Sequence, residues 1–416
     1  MTGPSSASAR RAVEAVWRIE AARIVASLTR VTGDFGLAED VAQEALAEAL
    51  VSWPASGVPA NPGAWLVTTG KRRAIDHWRR AERRDERYAE LARGLSETVG
   101  GDWDVEGIDD DVLRLVFIAC HPVLAREASV ALTLRTVGGL TTEEIASAFL
   151  VPVATVQQRI VRAKKTLAAA HVPFEVPTPD EYPARLSAVL SVLYLVFNTG
   201  YAAPSGERWM RTDLSREALR LARVLAGLVP REPEAHGLVA LMALSAARFP
   251  ARLDEAGRAV LLADQDRTRW DRSLIALGRA ALARVDALGR GRGAYALQAA
   301  IAECHDLASS VEATDWERIV VLYEALGRIA PSPVVELNRA VAVSMAEGPA
   351  TALRLVDALV AAGSLDGYPQ LPGVRGELLT RLGRVEEARA ELERAARLTG
   401  NDAERAVFAA KLRALD

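Results

Sequence analysis

The recurrence of apolar residues every three or four positions is the feature of this sequence that most constrains its fold. In RRAVEAVWRIEAARIVASLTRVTGD it places Val16, Ile24 and Leu28 on one side of a helix that we expect to end at Gly33. Similar segments follow, separated by stretches rich in proline and glycine. Helix formers such as alanine, leucine and arginine dominate, and aromatic residues contribute only 5%. The sequence therefore predicts an all-α fold.

Length, charge and cysteine content limit the protein class. The 416 residues suggest about two to four domains. Cys120 and Cys304 stand far apart with no His/Cys cluster around them, which argues against a zinc site and favours a reducing compartment. The polar opening MTGPSSASARR is unlike a signal peptide, and the apolar run from Leu186 is too short to span a membrane. We expect a cytoplasmic protein with no metal, no cofactor and no membrane contact.

Two helical segments near the N-terminus carry opposite charge. GLAEDVAQEALAEAL predicts a helix with an apolar face that includes Val41 and an acidic stripe on another face, formed by Asp40, Gln43, Glu44 and Glu48. NPGAWLVTTGKRRAIDHWRR then predicts a helix that starts at Pro62 behind an Asn61 cap and runs toward Arg87. Its apolar side consists of Leu66, Gly70, Ala74 and Trp78, with Trp78 expected in the core. A solvated basic face is the alternative to a binding surface here.

A helix-turn-helix is the sharpest local motif. Before it, ARGLSETVGGDWDVEGIDDD has no helical period and predicts an extended acidic linker. In LTTEEIASAFLVPVATVQQRIVRAKKTLAAA, Thr141 and Glu144 form a capping box, and Pro152 starts a second helix that reaches about Ala169. No acidic residue occurs between Glu144 and Glu175, so the second helix is suited to approach phosphates. A plain helical hairpin is the alternative.

The C-terminal half reads as helix after helix, behind the proline-rich hinge HVPFEVPTPDEYP. Its clearest unit is GELLTRLGRVEEARAELERAARLTGN, in which seven residues fall where a tetratricopeptide repeat places its packing residues: Gly376, Leu379, Gly383, Ala388, Leu392, Ala395 and Leu398. Gly400 and Pro372 depart from that pattern. We predict a helical-repeat domain.

Taken in order, the first motifs resemble regions 2 and 4 of the sigma-70 family. The segments that carry this resemblance are AEDVAQEAL, NPGAWLVTTGKRRAIDHWRR and the helix-turn-helix. The architecture lacks an intact region 3 domain, and in this it is similar to extracytoplasmic-function sigma factors. DDDVLRLVFIACHP, ADQDRTRWDRSLIA, QAAIAECH, TDWERIVVLYEAL and SPVVELNRAVAV resemble the DGPF-associated subgroup with a C-terminal tetratricopeptide-like extension. The expected domains are region 2 (1–90), an acidic linker (91–109), region 4 (110–172), a hinge (173–183) and the helical extension (184–416).

The resemblance implies core RNA polymerase and promoter DNA as partners. On the polymerase, the β′ clamp helices would contact Asp40, Gln43 and Glu44, and the β flap is a further expected contact. Melting and reading of the −10 element would fall to Trp65, Lys71, Arg72, Arg73, Arg79 and Arg80. The −35 element would be read by Thr155, Gln157, Gln158 and Arg159, with phosphate contacts from Arg162, Lys164 and Lys165. Many relatives carry asparagine where this chain has Arg72.

The resemblance also gives the linker and the extension expected roles. The linker acids Glu97, Asp102, Asp104, Glu106 and Asp109–Asp111 would thread the basic RNA path of the polymerase, with a merely soluble tether as the alternative. The extension would control activity and could receive a regulatory protein or peptide, since helical repeats offer concave surfaces.

Other function classes fit less of the chain. No catalytic arrangement or phosphate-cradling glycine loop is present, and His121 stands alone beside Cys120, so we expect no enzyme activity. A one-component helix-turn-helix regulator with a helical-repeat sensor domain is the main alternative, but it gives the AEDVAQEAL and NPGAWL segments no role. A tetratricopeptide scaffold would explain only the second half.

Overall fold

The computed structural model describes residues 6–81, 105–149, 151–170, 172–175, 177–178, 180–201, 212–255, 260–400 and 402–415. Within these ranges the chain is helical and contains no strand, so the all-α prediction is confirmed. The chain divides into two compact units, Met1–Leu193 and Tyr194–Asp416. The division falls inside one helix rather than in the expected hinge at 173–183.

The first unit contains seven helices and the start of an eighth among its described residues. They are α1 (Ser6–Thr32), α2 (Phe35–Ser56), α3 (Pro62–Ala81), α4 (Val105–Ala119), α5 (Arg126–Thr136), α6 (Thr142–Phe149), α7 (Val153–Ala169) and α8 (Tyr182–Tyr201). Helices α1, α2 and α3 pack against one another, and α4 packs on α1. Helix α7 contacts α5, α6 and also α2. The helix-turn-helix therefore packs against the N-terminal bundle.

Local signals place the end of α1 and the start of α3 where the sequence predicts them. Gly33 follows α1 with a φ of +65°, a conformation that glycine adopts without a Cβ clash. The Asn61 Oδ1 accepts the Ala64 N–H at 3.0 Å and caps α3. The expected continuation of α3 toward Arg87 lies outside the described residues beyond Ala81. The apolar side of α3 is buried, and a Cβ on Gly70 would lie 2.8 Å from Leu28 Cδ1 of α1.

The acidic segment before region 4 differs from its prediction as an extended linker. Residues 82–104 lie outside the described residues, but the chain is already helical from Val105 onward. At Asp111 the expected free acid is instead fully buried: it accepts a 2.6 Å hydrogen bond from Arg114 and lies 3.2 Å from Arg30 on α1. A long-range ion pair, which has no sequence period, thus makes this residue part of the fold. The expected role in the RNA path is wrong for Asp111.

In the second unit, successive helices pack on their neighbours. After the end of α8 come α9 (Thr212–Leu228), α10 (Pro233–Ala247), α11 (Arg272–Ala287), α12 (Ala294–Leu307), α13 (Trp316–Ile329), α14 (Pro333–Ala346), α15 (Pro349–Ala361), α16 (Gln370–Arg381), α17 (Val385–Leu398) and α18 (Asp402–Arg413). Helix α10 is buried almost throughout and contacts α9, α11 and α12. From α12 to α18 each helix contacts the next. This nearest-neighbour packing is typical of helical repeats.

Several of the C-terminal motifs have structural roles. Asp271, Asp315 and Ser332 cap α11, α13 and α14 through side-chain oxygens. Arg267 donates two 2.7 Å hydrogen bonds to the carbonyls of His305 and Ala308 at the end of α12. These motifs therefore fix helix ends in the second unit.

In residues 376–398, which the sequence predicts to form a tetratricopeptide-like unit, α16 packs on α17 through close contacts. A Cβ on Gly376 would lie 2.8 Å from Leu392 Cγ, so only glycine allows this approach without displacement. Leu379, Ala388 and Ala395 are buried as that pattern requires, but Leu398 remains 37% exposed.

Candidate nucleic-acid interface

Helices α6 and α7 form the helix-turn-helix that the sequence predicts. The backbone N–H of Thr141 donates to Glu144 Oε2 at 2.8 Å, and the N–H of Glu144 donates to Thr141 Oγ1 at 3.1 Å. This reciprocal capping box starts α6. Helix α7 begins after Pro152 and ends at Ala169, and its Val156 and Ile160 are buried. The pair therefore has its own small core, which leaves one face of α7 for a partner.

The outer face of α7 carries most of the residues predicted to read DNA. Gln157, Gln158, Arg162 and Lys165 are exposed, whereas Thr155 and Arg159 are half-buried. Glutamine can form two hydrogen bonds with one adenine edge, and cations outside the base-contacting positions pair with phosphates. This face has the chemistry to recognise a DNA major groove.

Lys164, also predicted to contact phosphate, faces helix α2 instead. Its ammonium donates to Asp40 Oδ1 at 2.8 Å and forms a very short contact with Glu39 Oε2. Only 17% of the Lys164 side chain is exposed. Burial lowers the pKa of Lys164, but the opposing effect of Glu39 and Asp40 is larger and raises that pKa above its usual value. The ammonium therefore stays charged at neutral pH.

The predicted acidic stripe on α2 is split by its neighbours. The side chain of Asp40 is 67% exposed, Glu44 is exposed and Gln43 is half-buried. Glu48 is paired with Arg73 of α3 at 2.7 Å. The exposed acidic surface of α2 is thus centred on Asp40 and Glu44, and its charge is complementary to that of a basic partner.

Some of the basic and aromatic residues of α3 are packed in the bundle, and others are exposed on its surface. Trp78 is 1% exposed, as predicted for a core residue. Trp65 is half-buried and packs edge-on against Trp53 with ring centroids 5.5 Å apart. Arg72 and Arg79 are exposed. Trp65 thus has part of its surface free for stacking and part engaged in the bundle.

The other predicted cations on α3 have protein neighbours or lie outside the description. Burial, together with the charge of Arg30, lowers the pKa of Lys71. A hydrogen bond to Glu48 raises the pKa of Arg73 and holds this guanidinium beside α2. The side chain of Arg80 lies outside the described residues.

Sequence reasoning missed two charged residues at the junction of α2 with the helix-turn-helix. Glu39 is 5% exposed, and its carboxylate lies 3.4 Å from Arg135 Nε of α5. Arg135 also donates to the Leu140 carbonyl at 3.0 Å. A signal for Glu39 was present, because it stands three residues before Ala42 and four after Phe35, both on the buried side of α2.

Residues that suggest other chemistry are structural. His121 Nδ1 accepts the N–H of Val123 and closes the turn after α4. Cys120 is buried beside Thr133, and burial raises the pKa of its thiol to about 12. Among the described residues no cluster of His, Cys, Asp or Glu is suited to a metal ion. In the same part of the chain, no helix is both long and apolar enough to cross a membrane.

Comparison with known proteins gives these surfaces a family context. Sigma-70 region 2 matches residues 18–84 and sigma-70 region 4 matches residues 114–167, while a family of unknown function (DUF6596) matches residues 185–286. An uncharacterized protein of Rhizobium meliloti (strain 1021) is 45% identical over 400 residues, which cover 93% of this chain and 92% of that protein. The chain belongs to one family with this protein and contains sigma-70 regions 2 and 4.

A more distant relative carries the name of a sigma factor. The probable ECF RNA polymerase sigma factor SigI of Mycobacterium tuberculosis (strain ATCC 25618 / H37Rv) is 30% identical over 162 residues, 37% of this chain and 54% of that protein. Sigma-70 family proteins are transcription initiation factors and not enzymes, and their regions 2 and 4 bind core RNA polymerase and promoter DNA. The assignment of this chain to DNA-binding sigma factors with a helix-turn-helix is therefore confirmed.

Proposed function

We propose that the protein is an alternative sigma factor of the extracytoplasmic-function type, which binds core RNA polymerase and directs promoter-specific initiation in the cytoplasm. The observation that carries this proposal is the pairing of two exposed surfaces within the matched regions. Helix α3 presents Arg72, Arg79 and part of Trp65, and α7 presents Gln158 and Arg162. The side chains on α3 can stack on and pair with melted DNA, and those on α7 can form hydrogen bonds in the major groove of duplex DNA.

Each surface receives a specific role in this proposal. The clamp helices of β′ dock on Asp40, Gln43 and Glu44 of α2, and the β flap holds region 4. Helix α3 acts on the −10 element through Trp65, Lys71, Arg72, Arg73, Arg79 and Arg80. Helix α7 reads the −35 element through Thr155, Gln157, Gln158 and Arg159, while Arg162, Lys164 and Lys165 serve the phosphates.

The second unit regulates this activity in our proposal. Its chain of neighbouring helices and the close α16–α17 pair support a tetratricopeptide-like extension. Such arrays bind proteins or peptides on a concave face. A chain truncated after Phe174 that retained the same amount and regulation of promoter-dependent transcription would refute the regulatory role.

Gel-filtration co-elution with sigma-free core polymerase tests the sigma assignment. Because Glu44 is exposed, whereas the carboxylates of α2 that pair with Lys164 of α7 are Glu39 and Asp40, Glu44→Lys reverses a charge on the proposed docking surface and leaves those pairs in place. We expect the wild type to co-elute with core, and we expect Glu44→Lys to bind at least about tenfold more weakly. The matched control is Glu324→Lys, the same change at an exposed glutamate of α13.

Two results would contradict the assignment. Equal core binding by Glu44→Lys and the wild type would remove α2 as the docking surface. Failure of the wild type to bind core, combined with direct binding to duplex DNA, would favour the one-component regulator instead.

A further inference from the structure

A cavity of about 740 Å³ lies in the second unit, where α9, the end of α10 and the start of α11 meet. Its position follows from the packing of α10 against both α9 and α11. Every residue that lines it falls within residues 212–274, inside the segment 185–286 that the family of unknown function matches. The cavity therefore stands apart from regions 2 and 4, which match residues 18–84 and 114–167.

Arginine is the main charged residue in the lining of this cavity. Arg216, Arg220 and Arg223 follow one another at spacings of four and three residues, which places them on one face of α9. Arg269, in the segment before α11, also lines the cavity. The acidic residues of the lining are two aspartates. With four cations and two anions, the lining carries a net charge of +2.

Three of these arginines keep their hydrogen-bond donors available. Arg220 is held by Glu217 on the same helix, with hydrogen bonds of 2.6 and 3.1 Å. Among the described residues, no ion pair or side-chain hydrogen bond engages Arg216, Arg223 or Arg269, and all three are exposed. Unpaired like charges around one cavity create a positive potential, so an anion bound among them is stabilised.

The two aspartates of the lining already have partners of their own. Asp271 Oδ1 accepts the backbone N–H groups of Ser273 and Leu274 at 2.9 and 3.1 Å, and thereby caps α11. Asp254 also interacts with other groups of the protein. These carboxylates are therefore satisfied within the fold, whereas the three arginines are not.

The spacing of the arginines favours a chain of phosphates over a single phosphate. Arg216 and Arg223 lie seven residues apart, which corresponds to about 10 Å along α9 at a rise of about 1.5 Å per residue. A guanidinium group binds phosphate oxygens through two parallel hydrogen bonds. Cations spread over about two helical turns can thus bind linked phosphates one after another.

The remaining wall of the cavity is largely apolar. Leu219, Phe249, Leu253 and Leu274 line it together with the arginines. Phe249 is 8% exposed and stacks on Phe197 of α8, with ring centroids 6.3 Å apart, so its ring is held in place. Small-molecule sites combine such a wall with a few polar groups, in volumes of about 300–1,000 Å³. The cavity therefore has room for an organic group beside the phosphates.

We propose that this cavity binds a small molecule that carries a polyphosphate chain, of the class of the nucleoside triphosphates. Arg216, Arg223 and Arg269 bind the phosphates, and the apolar wall packs against the organic part. The proposal does not rest on the sigma assignment, because no residue of the cavity belongs to region 2 or region 4. It assigns a ligand to the segment matched by the family of unknown function.

Isothermal titration calorimetry of the full-length protein with ATP tests the site, in magnesium-free buffer so that the phosphate charges are not neutralised. We expect saturable binding of one ATP per chain. Arg216→Gln and Arg223→Gln should each weaken this binding about tenfold, because each removes charged hydrogen bonds to phosphate. Both side chains are exposed, so neither variant should unfold the protein, and circular dichroism verifies that the helix content is retained.

Two further variants separate this site from a general attraction of ATP to positive charge. Arg328→Gln is the matched control, since it removes an exposed arginine of α13 outside the cavity and should leave ATP affinity unchanged. Arg162→Gln tests whether ATP binds instead to the face of α7 that we propose contacts DNA phosphates. Inorganic tripolyphosphate, as a second probe, measures binding of the phosphate chain alone.

Weaker ATP binding in Arg216→Gln and Arg223→Gln, with unchanged binding in Arg328→Gln and Arg162→Gln, supports the proposal. Tripolyphosphate that binds as tightly as ATP overturns the role of the apolar wall. The proposed site is overturned if the wild type binds neither probe saturably, or if Arg162→Gln loses ATP binding while the cavity variants keep it. None of these results affects the sigma assignment, which co-elution with core polymerase tests separately.

Discussion

Replacement of Gly70 by alanine tests how tightly α3, the helix that we propose acts on the −10 element, packs in the region 2 bundle. A Cβ at this position would lie 2.8 Å from Leu28 Cδ1 and 3.0 Å from Leu28 Cδ2. Leu28 is fully buried, so a shift of its side chain has to displace neighbouring core atoms. Overpacking of this kind costs about 1–3 kcal/mol, whereas the better helix propensity of alanine returns about 0.5–1 kcal/mol.

The midpoints of these two ranges give a net destabilisation of α3 by about 1.25 kcal/mol, which corresponds to a roughly eightfold larger population of locally open α3. Hydrogen exchange read by mass spectrometry on peptides from Leu66–Ala81 measures this directly and does not require the whole chain to unfold in two states. Core binding should weaken in parallel if α3 supports the docking surface of α2.

Gly227→Ala provides the matched control. Gly227 lies in α9, and a Cβ there would meet no atom within 4 Å. The same substitution should therefore stabilise α9 by about 0.5–1 kcal/mol and slow its exchange. If Gly70→Ala also slowed exchange in α3, or left it unchanged, the close approach of α3 to α1 would not be the constraint that we describe.

Two further predictions concern DNA readout and pH. Gln158→Ala should lower the binding free energy by about 1–3 kcal/mol on the preferred −35 sequence only. Arg162→Ala should weaken binding to all sequences and lower the slope of log affinity against log salt concentration by about 1. Both are measured with the protein bound to core polymerase. Burial lowers the pKa of His305 to about 4 from 6.5 and raises that of Asp306 to about 6 from 3.8, so as pH falls from 7 to 4 the histidine disfavours folding and the aspartate favours it. Asp306→Asn should remove the compensating effect of the aspartate, so the loss of folding free energy between pH 7 and pH 4 should grow by up to about 3 kcal/mol. This would be measured as a larger fall in the thermal midpoint over that pH range. Parallel plots of thermal midpoint against pH for the variant and the wild type would contradict the raised pKa of Asp306.

Structural features formed by residues a few positions apart could be predicted from the sequence. Pro62 and its Asn61 cap start α3, Thr141 and Glu144 start α6, and the i, i+4 pattern places Trp78 in the core. These features depend on backbone groups three or four positions apart, so their geometry is set locally. The sigma-70 regions follow from the same local motifs, because each motif lies on one helix or on two helices that are adjacent in the chain.

What joins distant segments was decided only by the tertiary structure. Lys164 lies 125 residues from Glu39 and 124 from Asp40, and no period in the sequence links them. The same is true of Asp111, which looks like one more acid in a charged linker until Arg30 and Arg114 surround it. The identity of a charged residue does not show whether its side chain is in water or paired with another residue. That depends on how the helices pack, because the energy of a buried charge is set by its neighbours in space.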